Sequence, residues 1–380
     1  MPIIKTGSDI MYYKKKKVKD PIQSTFNDLK LFEQNSYCYK YLKNNNSNID
    51  DSILLEHADI ASSSFRQASE YYKSASMSPI STSPLLYSYA MNNLLKGVCY
   101  LISFDSDILD GFRGHGFKLE NKNLKTDILN SKVTLMKHKG VVHSILKLYG
   151  NSLECGQDIY LYKLLRHIPN IDKFYYESVG SISLIATETS DEDGEFIING
   201  SNMDAETNNI FKGCSIVGNI LSREKICSCY LTMKTQDYLN DNVFNRNDMF
   251  YKNYLNIPEE FNEGLKCINI SFYCYLLMMS YGMIVRYNPN IWEKYIDKKD
   301  SKYSTLIELS ISNAVLNFYF QMHNLLLNFY YYDNNYNELD IKQIIDNSTS
   351  SIMNNITKKI KDDNFRGNQY AYLPWKENVR

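Results

Sequence analysis

No glycine-rich phosphate loop, no nucleophile elbow and no Cys-x-x-Cys pair occurs in the 380 residues. Without GxGxxG, GxxxxGK[ST] or GxSxG the chain lacks the backbone geometries on which dinucleotide, P-loop and α/β-hydrolase chemistry rest. A surplus of charge is missing too. Lys and Arg number 42 against 43 Asp and Glu, for a net charge of −1. Such a balance gives no global field for holding polyanions, and it excludes a constitutive, salt-sensitive DNA coat protein. The eight cysteines are dispersed, as in a reduced cytosolic protein rather than a disulfide framework or a zinc module. Arginine is scarce as well, confined to Arg66, Arg113, Arg166, Arg223, Arg246, Arg286, Arg366 and Arg380, whereas Tyr occurs 32 times. That bias fits an AT-rich genome, and it makes each arginine informative, because a guanidinium is a fixed fork of donors.

What is present is an apolar fraction of 44%, enough for a sizeable core in one large domain or two and too much for a disordered chain. The N-terminus, MPIIKTGSDIMYYKKKKVKD, places its lysines after a polar stretch. It reads as a solvated, frayed arm, the alternative being contact with anionic lipid or nucleic acid, and no signal peptide is legible. Residues 268–285 are uncharged over a length near that of a bilayer span, but Asn269, Ser271, Tyr273, Tyr275, Ser280 and Tyr281 interrupt them. A buried central helix is the expectation, with no membrane insertion and a cytoplasmic location.

Helical spacing runs over 21–43 and again over Ile53 to Ser76, where Ile60, Phe65, Ala68 and Tyr72 are placed to share a face. Ser81, Thr82, Ser83 and Pro84 form a helix start with a hydroxyl cap, followed by a long buried helix. The period then changes. Residues 131–149 read as two strands about a Lys139-Gly140 turn, Asp158 to His167 as a helix stopped by Pro169, and SISLIATET with EFIING as a hairpin about SDEDG. Cys214 to Lys234 reads as a further pair of strands. Helices return at Asn262 to Arg286 and Ser304 to Tyr332. The second carries a carboxamide stripe, Asn313, Asn317, Gln321, Asn324 and Asn328, read as its solvent side or a face for a partner helix. A last amphipathic helix is expected over 339–360. The fold class is therefore mainly α, a large helical domain with a small mixed β-rich insertion or second lobe. Its parts are a basic arm (1–20), an N-terminal helical part of the core (21–129), the β-rich insertion (130–235), a C-terminal helical part (236–332) and a helical extension (333–380).

Three segments together resemble the YaaC-like family of bacterial proteins. They are SFRQASEYYKSAS with SPLLYSYAMNNLLKG (Ser64 to Gly97); GHGF (Gly114 to Phe117) with KHKGVVHSIL and YLYKLLRHIPNIDKFY; and YLLMMSYGMIVRYNPNIWEKYI (Tyr275 to Ile296). Order and rough spacing agree over about residues 55–330. The chain departs from the pattern after GHGF, where a strongly basic segment is expected and only Lys118, Lys122 and Lys125 stand. The resemblance implies a mainly helical fold in a bacterial cytosolic setting and no settled reaction. The helical pair near a His-containing turn is also loosely similar to HEPN bundles of toxin and phage-defence ribonucleases. The usual arginine-before-histidine spacing of those enzymes is absent.

Among the six histidines, which alone titrate intrinsically near neutrality, His115 stands out between Gly114 and Gly116, two residues after Arg113 and downstream of Asp105, Asp107 and Asp110. Arg113 and His115 are the catalytic candidates, as an anion grip beside a proton-transfer group. A carboxylate-histidine metal site is a second reading of the same residues, and a helix-ending loop in which His115 caps a carbonyl is a third. His138 and His143 would face each other in a hairpin but lack further metal ligands. Cys227 and Cys229 read as ordinary thiols, and Asp191 to Glu195 as a hairpin tip without the terminal acid of a calcium loop. The binding candidates are Arg66, Lys96, Arg286, Tyr287 and Trp292. Arg286 either caps the preceding apolar helix or serves as an anion-binding or interface arginine with Trp292 against its plane. No cofactor and no metal are expected. The leading expectation is a helical scaffold that binds a protein partner or a second copy of itself, in a defence or stress setting. An RNA-acting effector comes second and a small-ligand sensor third.

Overall fold

The computed structural model describes residues 14–18, 20–120, 124, 127–137, 140–149, 156–180, 185–189, 195–201, 228–234, 244–245, 253–255, 269–297, 301–327 and 329–332. The hairpin tip 190–194, His138, Cys214, Cys227, Asn328 and the proposed helix 339–360 lie outside them.

Four helices make the centre: α3 (Asp51–Met77), α4 (Ser83–Ile102), α9 (Ile270–Tyr287) and α11 (Ser304–Leu327), with α4 packed on the other three and α9 on α11. The uncharged run of the sequence, on α9, thus lies beside the long helix α4. Helix α9 is buried over Ile270 to Val285 except at Met283, and no helix among the described residues is long and apolar enough to cross a membrane. Glycine at two crossings permits the close approach. A Cβ at Gly97 would lie 2.8 Å from the Phe65 ring, and one at Gly282 would lie 2.7 Å from Ser88 Oγ. Helices α1 (Pro21–Leu31) and α2 (Asn35–Asn45) lie against this centre, and Tyr41 donates to the Leu326 carbonyl (2.9 Å). The single helix read over 21–43 is broken at 32–34, where Phe32 turns inward with no accessible surface. On α3 the inward positions are Ala61, Phe65, Ala68 and Tyr72, while Ile60 is half exposed. Helix α4 starts where expected, but Thr82 makes no side-chain cap bond, so Pro84 in the first turn is the part of the signal that acts.

A three-stranded antiparallel sheet, β2 (Phe117–Leu119), β3 (Lys132–Leu135) and β4 (Gln157–Tyr160), follows α5 (Ser106–Leu109) and a 3₁₀ turn at Asp110–Arg113. The Lys139-Gly140 hairpin does not form. Strand β3 leads instead into α6 (Gly140–Leu148), with seven buried residues between Val141 and Leu148, a run too short for its spacing to tell helix from strand. Asp158 likewise sits on β4, and only Leu161–Arg166 is helical (α7), followed by α8 (Asp172–Val179). Strands β5 (Ile185–Thr189) and β6 (Glu195–Ser201) pair antiparallel as the hairpin reading requires, Thr189 opposite Phe196. They belong to a five-stranded sheet with β7 (Ser228–Lys234), β8 (Phe244–Asn245) and β9 (Asn253–Leu255) in the order β7-β6-β5-β9-β8.

Two further expectations are corrected. Lys14–Lys17 form β1, paired in parallel with β10 (Phe329–Tyr332), so these residues are not a free arm, and α11 stops at Leu327 rather than running to Tyr332. The carboxamide stripe does not face solvent: Asn317, Gln321 and Asn324 are buried. Asn317 Nδ2 donates to the Asn313 carbonyl one turn earlier (2.8 Å), and Asn269 Nδ2 donates to Gln321 Oε1 (3.3 Å). Buried amides need such partners, and the helix's own backbone supplies one.

Candidate functional site

The segment Gly111 to Gly116 is bound to the start of α6 by hydrogen bonds that run from the helix to the loop. Val141 N–H donates to the Gly114 carbonyl (2.9 Å) and Val142 N–H to the His115 carbonyl (3.2 Å), while Met136 N–H donates to the Gly116 carbonyl (2.8 Å). The first amides of a helix have no partner within it, and here the loop satisfies two of them. Packing is tight. A Cβ at Gly140, whose φ is +71°, would collide with Gly116 N, and one at Gly111 would collide with Ser144 Oγ, which donates to the Ile108 carbonyl (2.7 Å). The acids upstream are engaged elsewhere. Lys147 Nζ reaches Asp105 (2.8 Å) and Asp107 (2.9 Å), and Arg113 pairs with Asp110 (3.0 Å).

His115 itself is exposed and pairs with no carboxylate among the described residues. Its pKa is lowered, first because partial burial disfavours the imidazolium and second because the Arg286 charge acts on it. Arg286 is exposed at the last turn of α9, where a cation complements the helix dipole. Its Nη1 makes one long hydrogen bond to the Tyr89 hydroxyl (3.4 Å), and its guanidinium lies 5.2 Å from the Tyr287 ring centroid. Among the described residues it has no carboxylate partner. Tyr287 is 62% exposed. Tyr89, from α4, packs against Tyr71 of α3 at 5.4 Å between centroids. Tyr71, Tyr89, Arg286 and Tyr287 thus join three helices in one polar-aromatic surface.

The remaining candidates lie apart from it. Trp292, on α10 (Pro289–Ile296), does not stack on Arg286. It is fully buried, donates from Nε1 to the Ile80 carbonyl (3.0 Å) and packs on Tyr281. Arg66 donates to the Glu33 carbonyl (2.7 Å) and Ser63 Oγ (3.0 Å), holding α3 to the α1–α2 turn. Lys96 is half buried on α4 with no ion pair among the described residues. His143 lies on α6, so the facing-histidine hairpin is lost, and the described residues include no group of three side chains able to hold a metal ion. Sequence reasoning missed Tyr71 and Tyr89. Among 32 tyrosines neither carries a local signal, and only the crossing of α3 and α4 shows that they share a face.

A cleft of about 140 Å³ opens elsewhere, between α1, α3, α4 and α11, walled by Phe26, Phe65, Tyr72 and Tyr319 with Lys30 and Glu33 at its rim. It is well below the ~300 Å³ at which small-molecule sites begin.

A scan against family models matches residues 30–326 to the YaaC-like Protein model. Neither a curated protein nor a solved structure matches the chain. With a match spanning α2 to α11 and containing the Gly114–Gly116 loop and Arg286, the chain belongs to the YaaC-like family.

Proposed function

We propose that this chain is a helical scaffold of the bacterial cytoplasm that docks another macromolecule, a protein partner or a second copy of itself, through the Tyr71, Tyr89, Arg286 and Tyr287 surface. The observation that carries the reading is the exposed guanidinium of Arg286, lying over an exposed tyrosine and bound to its own chain by one long hydrogen bond. Arginine and tyrosine are the residue types on which binding energy concentrates at interfaces, and a fixed aromatic base reduces the entropy lost on docking. The rest of the loop supports a structural part for its glycines, and the acids that would complete a catalytic or metal set are paired with Lys147 and Arg113. A photo-crosslinking residue at position 287, compared with one at the exposed Met77, tests the proposal. A discrete adduct from 287 alone, abolished by Arg286→Ala, is the expected result; no adduct, or the same adducts from both positions, overturns it.

A second reading rests on His115. An exposed imidazole whose pKa is lowered by partial burial and by the Arg286 charge is suited to accept a proton from a nucleophile near phosphate, which is the chemistry of an RNA-acting effector. Incubation of the full chain with labelled single-stranded RNA distinguishes it: cleavage lost in His115→Ala favours the effector, and intact RNA removes it.

A further inference from the structure

The Lys14–Lys17 run has a counterpart that local sequence does not disclose. Strand β1 is four lysines, and β10 is Phe329, Tyr330, Tyr331 and Tyr332. The two come from opposite ends of the described chain and pair in parallel. Lys14 stands opposite Phe329, Lys15 opposite Tyr330, Lys16 opposite Tyr331 and Lys17 opposite Tyr332. Among the described strands they pair only with each other, so the outer edge of each is unpaired there. The ribbon is tied to the helical centre, since β1 precedes α1, β10 follows α11, and β10 lies against α1.

Register decides what such a ribbon can hold. Successive residues of a strand belong to opposite faces, and residues opposite one another in the ladder belong to the same face. Lys14, Lys16, Phe329 and Tyr331 therefore share one face, and Lys15, Lys17, Tyr330 and Tyr332 share the other. Both faces carry the same mixture of two lysines and two aromatic residues, so the one turned away from α1 has it in either case. A lipid-binding element separates its charged face from its apolar one, and this register mixes them. Edge lysines by themselves discourage pairing with another chain, a role that calls for no aromatic partner. A single-stranded nucleic acid requires the mixture, cations for its phosphates beside rings for its bases.

We propose that the β1–β10 ribbon is a platform for a short stretch of single-stranded nucleic acid, with the lysines on its phosphates and the β10 rings stacked on its bases. This platform is separate from the Arg286 surface and does not depend on it. It is small, because three register steps cover about 10 Å and four lysines are its whole complement. A chain balanced at −1 adds no global field. The salt dependence is therefore shallow: at ~0.7 per neutralised phosphate, log K falls against log salt with a slope between about −1.4 for two lysines and about −2.8 for four.

The test is fluorescence anisotropy of a labelled short single-stranded RNA titrated with the full chain at several salt concentrations. Saturable binding with a slope in that range is expected. A duplex of the same sequence, whose bases are already stacked on one another, should bind about tenfold more weakly or worse. Lys14→Gln, Lys15→Gln, Lys16→Gln and Lys17→Gln together should abolish binding, and Arg at the same four positions should preserve it. Lys40→Gln with Lys73→Gln, which removes exposed lysines on α2 and α3, should leave it unchanged. Tyr330→Val with Tyr331→Val keeps strand-forming residues while taking one ring from each face. It should weaken binding about tenfold, whereas Tyr330→Phe with Tyr331→Phe should not. No saturable binding, undiminished binding by the four-glutamine chain, or equal affinity for the duplex overturns the platform. Capture by phosphatidylserine vesicles without any binding of RNA overturns it in favour of a membrane surface.

Discussion

Gly114 and Gly140 meet across one loop-helix junction, yet only one of them is required by geometry. Gly140 sits at φ +71°, where an L side chain is strained, and a Cβ there has no room beside Gly116 N. Gly140→Ala is therefore expected to lose at least ~2 kcal/mol in urea unfolding, from backbone strain and overpacking together. Gly114 is extended at φ −166° with open space around it, and Gly114→Ala should stay within ~0.5 kcal/mol of the parent chain. His115 gives a second prediction at this scale. Its folded pKa lies below the unfolded value, so on acidification the unfolded chain takes up the proton first. The resulting stability is complete above the unfolded pKa of about 6.5 and is lost as pH falls through the folded pKa. His115→Gln should flatten the decline of unfolding free energy between about pH 7 and 5. In Arg286→Ala the NMR-titrated pKa of His115 should rise but stay below its ordinary value, because burial, the larger cause, remains.

At the scale of elements, the approach of α4 to α9 is set by Gly282 against Ser88. A Cβ at 282 would lie 2.7 Å from Ser88 Oγ but 3.0 Å from Ser88 Cβ, so most of the obstruction is one hydroxyl, which now donates to the Leu85 carbonyl (2.7 Å). Gly282→Ala should destabilise by ~1–3 kcal/mol, and Ser88→Ala in the same chain should recover part of it. Additivity of the two changes in a double-mutant cycle would refute the contact. Helices of this kind were legible in the sequence because their apolar spacing and their starts, such as Pro84, are local. Residues 131–149 were not legible. Val141 to Leu148 is too short an apolar run for its spacing to tell helix from strand, and its helix is started by carbonyls of Gly114 and His115 that lie 25 or more residues earlier. The carboxamide stripe on α11 misled for a related reason, since polar spacing reads as a wet face unless the helix backbone and Asn269 satisfy the amides inside. For the candidate site, His115 and Arg286 were visible as residues in unusual settings, whereas Tyr71 and Tyr89 depended on a crossing that no local pattern encodes.

For the whole molecule, the described core is one contiguous cluster running from Leu29 on α1 to Leu326 on α11. Contiguity of this sort argues for cooperative unfolding, and three buried cysteines report on it from separate places. Cys38 lies on the peripheral α2, Cys99 on α4 and Cys274 on α9. Each thiol is held protonated by burial, Cys38 with its pKa pushed up to about 12, its Sγ donating to the Phe32 carbonyl (3.0 Å). The thiolate is the reacting species, so none of the three should be alkylated in the native protein at pH 8. With rising urea, mass-spectrometric labelling should show all three becoming reactive over one midpoint, the one at which tyrosine fluorescence changes. Earlier exposure of Cys38 would mean that α1 and α2 open as a separate unit. Arg66 then sets the expectation for a variant. It ties α3 to the α1–α2 turn by its hydrogen bond to the Glu33 carbonyl, with Ser63 of α3 holding the guanidinium in place, so Arg66→Ala should advance Cys38 ahead of Cys99 and Cys274. A shift of all three together would instead make that turn part of the single cooperative core.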